Sequence, residues 1–147
     1  MRFKNKLILE KYLLTKGYFT GRSLITQIRT GTNKLEIEKG RHFRKEKEGK
    51  VGKEVKDRVC KQGCNNEVED EEHFIVKCPR YNLLRSQLFD KIHALSGGKW
   101  NLEALSGDDQ FHLIMGGTSD KHEMACHAEV QGYLIRAFRL RDSTVVM

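Results

Sequence analysis

The chain has 147 residues, 38% of them hydrophobic, with a single proline; this suffices for one modest core, with or without a basic extension, and excludes a large enzyme fold. Its net charge of +7 is unevenly placed, at +10 over residues 1–58, −3 over 59–78 and zero over 79–147. No apolar run reaches the roughly 18–20 residues that span a bilayer, and Glu10 and Lys11 interrupt the apolar stretch a secretion signal needs, so the expectation is a soluble, intracellular chain, nuclear or cytoplasmic.

In chain order, Leu7, Ile8, Tyr12 and Leu14 recur among charged residues at roughly helical spacing over 5–15. A second helix opens at Gly21-Arg22-Ser23, carries Leu24, Ile25 and Ile28, and stops at Gly31-Thr32-Asn33. Leu35-Glu36-Ile37-Glu38 alternates apolar and acidic residues, which reads as a short strand or extended piece. From Lys39 to Arg58 nearly every residue is charged or Gly, with little to bury, the composition of a flexible linker or arm.

Cys60, Cys64, His73 and Cys78 then follow with the spacing Cys-x3-Cys-x8-His-x4-Cys. Without a secretion signal, disulfides are not expected. Four soft or borderline donors in one short segment match what Zn²⁺ takes in a closed tetrahedral site. Cys60 and Cys64 pair across a turn containing Gly63, and His73 and Cys78 form the second pair. Asn66, three residues before Glu69, reads as the N-cap of a helix whose first turn carries Glu69, Asp70 and Glu71. His73 and Cys78 are five apart, too far for one α-helical face. Pro79 pushes Cys78 out of the helical region, so the helix should end near Lys77 and turn Cys78 back toward the metal; a strand over 73–76 would serve as well. Pro79 can start the next helix. Tyr81, Leu84, Leu88, Ile92 and Leu95 make that helix the clearest amphipathic one in the chain, closed by Gly97-Gly98. Trp100, Leu102 and Leu105 suggest a further short element, and Phe111–Met115 is an apolar run ending at Gly116-Gly117. A last helix spans His127 to Leu140, with Val130, Leu134, Ala137 and Phe138 on one side. His122 and Cys126, four apart, have no second pair to complete another site.

The string Leu24 to Arg41, with Arg29-Thr30-Gly31 and Ile37-Glu38-Lys39-Gly40-Arg41, resembles a stretch downstream of the polymerase in LINE-type (non-LTR) retrotransposon proteins. Cys60, Cys64, Val68-Glu69-Asp70-Glu71-Glu72-His73-Phe74, Cys78-Pro79, Tyr81 and Arg85 follow in the order that family shows. The likeness covers residues 22–92 well and the tail from Tyr133 to Arg141 loosely. It implies the C-terminal zinc module of a reverse transcriptase, or a separate protein left from one, with Cys60, Cys64, His73 and Cys78 as ligands and RNA or DNA as partner. The polymerase's paired catalytic aspartates do not carry over: Asp108-Asp109 lacks the aromatic before it and reads as a solvated turn. With no Walker loop or nucleophile elbow either, the chain is not expected to be an enzyme.

The expected fold is therefore mainly α, a small zinc-stabilised Cys-Cys-His-Cys domain with a basic, partly flexible N-terminal half. Its parts are a helical segment over 1–38, a basic linker or arm over 39–58, the zinc module with its following helix over 59–95, and a helical segment over 96–147. The zinc segment is acidic, so phosphate contacts belong to Arg41, Arg44, Lys45, Lys47, Lys50, Lys53, Lys56 and Arg58. Only Phe43 among them could stack on a base, which fits non-specific binding. A solvated linker with no partner remains the alternative for this segment. For the whole chain the alternatives are a protein-interaction module using the Tyr81–Leu95 and Val130–Phe138 helices, and a retroelement relic without selected function.

Overall fold

The computed structural model describes residues 19–41, 52–116 and 123–143. The helix expected over 5–15 and the middle of the expected linker lie outside these residues. Five α-helices are described: α1 (Phe19–Thr30), α2 (Glu36–Arg41), α3 (Asn82–Leu95), α4 (Gly107–Gly116) and α5 (Glu123–Ser143). Short 3-10 turns lie at Val55–Asp57, Pro79–Tyr81 and Leu102–Ala104, and one π-helical turn at His73–Lys77. Among the described residues, β pairing is confined to a single antiparallel bridge between Val59 and Val68. The fold is mainly helical, as the periodicity implies.

The long helix α5 is the centre of the packing and lies against α1, α3 and α4. Its Val130, Leu134, Ala137 and Phe138 are buried as expected, facing a core that includes Leu88 and Ile92 of α3 and Phe111, Ile114 and Met115 of α4. Phe74 is fully buried at the heart of this core, edge-on to Tyr81 at 4.9 Å and 4.6 Å from the Phe138 ring. The α1–α5 crossing needs Gly21: a Cβ there would stand 2.6 Å from Gln131 Cβ, inside van der Waals contact. The helix stops where the sequence suggests, with Thr32 N–H donating to the Gln27 carbonyl at 3.0 Å across Gly31.

Two segments depart from the sequence reading. Leu35–Glu38 is not extended; it enters α2, because the free amides at the start of that helix find acceptors far along the chain. Glu36 N–H donates to Glu69 Oε1 at 2.8 Å and Ile37 N–H to the Glu69 carbonyl at 3.0 Å. The described ends of the 39–58 linker are also packed. Residues 39–41 belong to α2, and Lys53 N–H donates to the Gly40 carbonyl at 2.7 Å. Arg58 lies across Gly40 and sends its guanidinium to the carbonyls of Lys53, at 2.7 and 3.0 Å, and Ile37, at 3.1 Å. Asp108 and Asp109, read from sequence as a turn, form the exposed first turn of α4, where Ser106 Oγ accepts from Asp109 N–H at 3.2 Å.

The same Glu69 that caps α2 is almost wholly buried and pairs with buried Arg141 near the end of α5, through Nη2–Oε1 at 2.8 Å and Nε–Oε2 at 3.1 Å. Removing one partner of a buried pair leaves the other uncompensated, at a cost of about 3–5 kcal/mol. Arg141→Ala should lower the unfolding free energy in urea by that amount. Lys91→Ala, which removes the pair between exposed Lys91 and half-buried Glu129, should cost less than about 1 kcal/mol. Equal effects of the two would mean that the Glu69–Arg141 pair does not hold the fold.

Candidate metal centre

Cys60, Cys64, His73 and Cys78 come together, each offering one donor atom, with all four atoms within 4.8 Å of one another. They could hold one metal ion. The local chain explains the convergence. The Val59–Val68 bridge, with Cys60 N–H on the Glu67 carbonyl at 2.8 Å and Glu69 N–H on the Arg58 carbonyl at 2.9 Å, folds the loop back on itself. Inside it, Gly63 takes φ +93°, a conformation L side chains rarely adopt, and so lets Cys64 return toward Cys60.

Asn66 is not the helix N-cap expected from sequence. It sits at φ 56° in the loop, and the capping acceptor is Asp70, whose Oδ1 takes the His73 N–H at 2.7 Å. From there the chain forms a π turn instead of an α turn: Cys78 N–H donates to the His73 carbonyl five residues back at 2.7 Å. This wider turn places the fifth residue beside the first, which an α-helix cannot do, and so solves the His73–Cys78 spacing. Pro79 holds Cys78 extended at φ −62°, ψ 122°, and opens the next turn at its first position, as expected.

The carbonyls left over by this irregular turn have dedicated donors. Arg85, buried on the apolar face of α3, gives Nε to the Ile75 carbonyl and Nη2 to the Cys78 carbonyl, both at 2.9 Å, and Nη1 to Asn82 Oδ1 at 2.6 Å. Tyr133 of α5 donates its hydroxyl to the same Ile75 carbonyl at 2.8 Å. Neither role is read from the ligand spacing. The available signal was a charge at position 85 on the stripe formed by Tyr81, Leu88 and Ile92.

The donors suit a metal electrostatically. His73 is buried, and neither ring nitrogen has a hydrogen-bond partner; the Glu67 carboxylate stands 3.7 Å from Nδ1, beyond hydrogen-bond reach. Burial, the dominant effect on this imidazole, lowers its pKa and keeps it neutral with a lone pair free. Burial likewise pushes the Cys60 thiol up to about 12, with the Cys78 and Cys64 sulfurs adding to the effect, and raises that of Cys78, with Cys64 adding to it. A buried imidazole with no hydrogen-bond partner is costly without a cation, whereas neutral thiols bury readily. Cys64 differs from the other two cysteines in being only half-buried, on the wall of an open cleft of about 450 Å³ that is also lined by Gln62, Lys77 and Arg80. Cys126 and His127 are buried in α5, outside the cluster, and His122 lies outside the described residues.

The basic residues expected to meet nucleic acid divide differently. Arg58 is half-buried and gives one hydrogen bond each from Nε, Nη1 and Nη2 to backbone carbonyls, which leaves fewer of its N–H groups for a phosphate. Lys53 is half-buried and Lys56 exposed. Arg41 closes α2, and its side chain, like Arg44, Lys45, Lys47 and Lys50, lies outside the described residues. No helix among the described residues is long and apolar enough to cross a membrane.

Residues that orient a metal ligand typically carry about 10–100-fold in metal affinity. Arg85→Met keeps the bulk of the side chain and removes its three hydrogen bonds. It should weaken metal binding by that factor in a competition with a coloured chelator, while Arg80→Met, at an exposed position beside the site, leaves affinity within about 2-fold.

No protein-family model, curated protein or solved structure matches the chain, and what the site does follows from its own donor atoms.

Proposed function

We propose that Cys60, Cys64, His73 and Cys78 hold one structural zinc ion in a non-catalytic module. The module would bind RNA or DNA without sequence readout through Arg41, Arg44, Lys45, Lys47, Lys50, Lys53 and Lys56. The observation that carries the metal assignment is the arrangement of the four donors. At a Zn–S distance of about 2.3 Å the edge of a tetrahedron is about 3.8 Å, and Cys64–Cys78 and Cys60–Cys78 stand at 3.6 and 3.9 Å. Three thiolates and an imidazole favour Zn²⁺ over hard cations such as Mg²⁺ or Ca²⁺. Protein atoms fill all four positions and leave none for water, which makes the role structural. Binding must displace the thiol protons, so affinity falls as the medium is acidified.

For nucleic acid the support is charge. Residues 1–58 carry +10, and each Lys or Arg that neutralises a phosphate releases counterions. The likeness to the C-terminal region of LINE-type reverse transcriptase proteins points the same way. It also fits a reducing compartment, nuclear or cytoplasmic, where the thiols stay available to metal. The protein-interaction alternative needs free apolar faces on α3 and α5. Leu88, Ile92, Val130, Leu134, Ala137 and Phe138 are instead buried in the core, which favours the nucleic-acid reading.

Protein purified without added zinc should carry one zinc per chain by elemental mass spectrometry, and Cys78→Ser should lose it. Chelation should then unfold residues 60–95, read as lost helical circular dichroism and lost amide protection. Retained helicity in the fully stripped protein would remove the structural role. Reversing Lys45, Lys47, Lys50 and Lys56 to Glu should abolish retention of single-stranded RNA and of duplex DNA at low salt. Partial reversal should flatten the slope of log affinity against log salt by about 0.7–0.9 for each phosphate no longer neutralised. An unchanged slope would assign the basic segment to a linker.

A further inference from the structure

We propose that Cys64 and Cys78 form a peroxide-sensitive thiol pair whose oxidation releases the metal; this rests on the zinc reading above. The three cysteines of the cluster are unequal. Cys60 is 5% exposed and Cys78 fully buried, whereas Cys64 is half-buried and faces the cleft of about 450 Å³ between Gln62 and Arg80. A molecule as small as hydrogen peroxide enters that cleft and meets one sulfur, that of Cys64. Metal-ligating thiols are deprotonated, and the thiolate is the form that attacks an oxidant.

The chemistry closes within the cluster. Cys64 Sγ attacks one peroxide oxygen; an S–O bond forms, the O–O bond breaks, and hydroxide leaves to become water on taking a proton. Cys78 Sγ stands 3.6 Å from Cys64 Sγ and attacks the sulfenyl sulfur; an S–S bond forms, the S–O bond breaks, and a second hydroxide leaves and takes a second proton. Two thiolates are oxidised and one peroxide is reduced to two waters. Sulfenic acids condense with a neighbouring thiol in this way.

The mechanical requirements are also met. A disulfide needs its sulfurs at about 2.05 Å, so the pair must close by about 1.5 Å. Cys78 is held by Pro79 and by Arg85 on its carbonyl. Cys64 follows the exposed Gly63, around which nothing lies within 4 Å of an added Cβ, so Cys64 is the side that moves. Once the pair has closed, Cys60 and His73 are the two donors left, and two donors do not hold an ion as four do. The role of Cys60 is then fixed by its burial: 3.9 Å from Cys78 but out of reach of oxidant, it stays a thiol.

The test uses the full chain after its zinc content has been measured. Hydrogen peroxide is added in small excess, with zinc release followed by a chromogenic chelator and disulfides mapped by non-reducing trypsin digestion. Cleavage after Lys61, Lys77 and Arg80 separates the three cysteines onto different peptides. The expected result is one zinc released per chain, in step with a loss of about 2 Da, with peptide 62–77 joined to peptide 78–80. Dithiothreitol should restore zinc binding. Cys64→His keeps a zinc ligand at the position and should hold its metal under the same peroxide. If that variant does not fold, the peptide map of the native chain still decides. Zinc retained by the native chain under peroxide, or a Cys60–Cys78 link, overturns the inference and leaves the zinc site standing. A chain that carries no zinc before peroxide overturns the zinc reading and this inference with it.

Discussion

The fold depends on one buried carboxylate. Glu69 is 1% exposed and joins three parts of the chain that are distant in sequence. Its side chain takes Arg141 from the end of α5 and the Glu36 amide at the start of α2, and its backbone takes Ile37 and gives to Arg58. A buried ion pair of this kind gains little over well-packed apolar residues of the same volume, but losing one partner is expensive. Its value here is specificity. The register of the 58–69 loop that places Glu69 where these donors converge also brings Cys60 to Cys78.

This pairing changes what the charge pattern means. Counted in sequence windows, residues 59–78 are acidic at −3 and 79–147 are neutral. In space Arg141 sits on Glu69 and lies 3.7 Å from Glu36, and Lys61 lies 3.5 Å from Glu36. Glu71 accepts from Asn33, and Glu72 faces Lys77 at 3.7 Å. Of the acidic side chains of the metal loop, Glu69 is thus neutralised from another window, by Arg141, while Lys61 of the same loop turns to Glu36 outside it. In the opposite sense, Arg58 counts toward the basic front half, but carbonyls inside the fold hold its guanidinium. Sequence windows measure charge correctly and place it incorrectly wherever long-range pairs form.

The same distinction separates what was legible in the sequence from what was not. The cluster of four candidate metal donors was legible because its chemistry is carried by residue type and by spacing over 19 positions. The α3 stripe, the stop at Gly31 and the extended Cys78 before Pro79 were legible because each is set within one or two turns of chain. Leu35–Glu38 was misread because its alternation is local while its helix is capped from Glu69, 33 residues on. Asn66 was misread because the Val59–Val68 bridge holds it in a left-handed loop position, one residue type among few that tolerates it. Arg85 was visible as a charge on an apolar stripe, but its purpose needed the π turn, and a π turn leaves no mark in periodicity.

That turn shows how the metal loop and the helices support one another. Regular helix is the cheaper backbone, and a π turn persists only where something uses it. Here two things use it: the turn sets His73 beside Cys78, and it presents the Ile75 carbonyl to both Arg85 of α3 and Tyr133 of α5. The helices therefore order two of the four donors before any ion arrives, and Glu69 orders the loop that carries the other two. An ion bound only by this arrangement would stabilise it, and its binding energy would reach α3 and α5 through Arg85, Tyr133 and Arg141. Such a coupling would be reciprocal: tighter helix packing would raise metal affinity by the same factor by which the metal stabilised the packing.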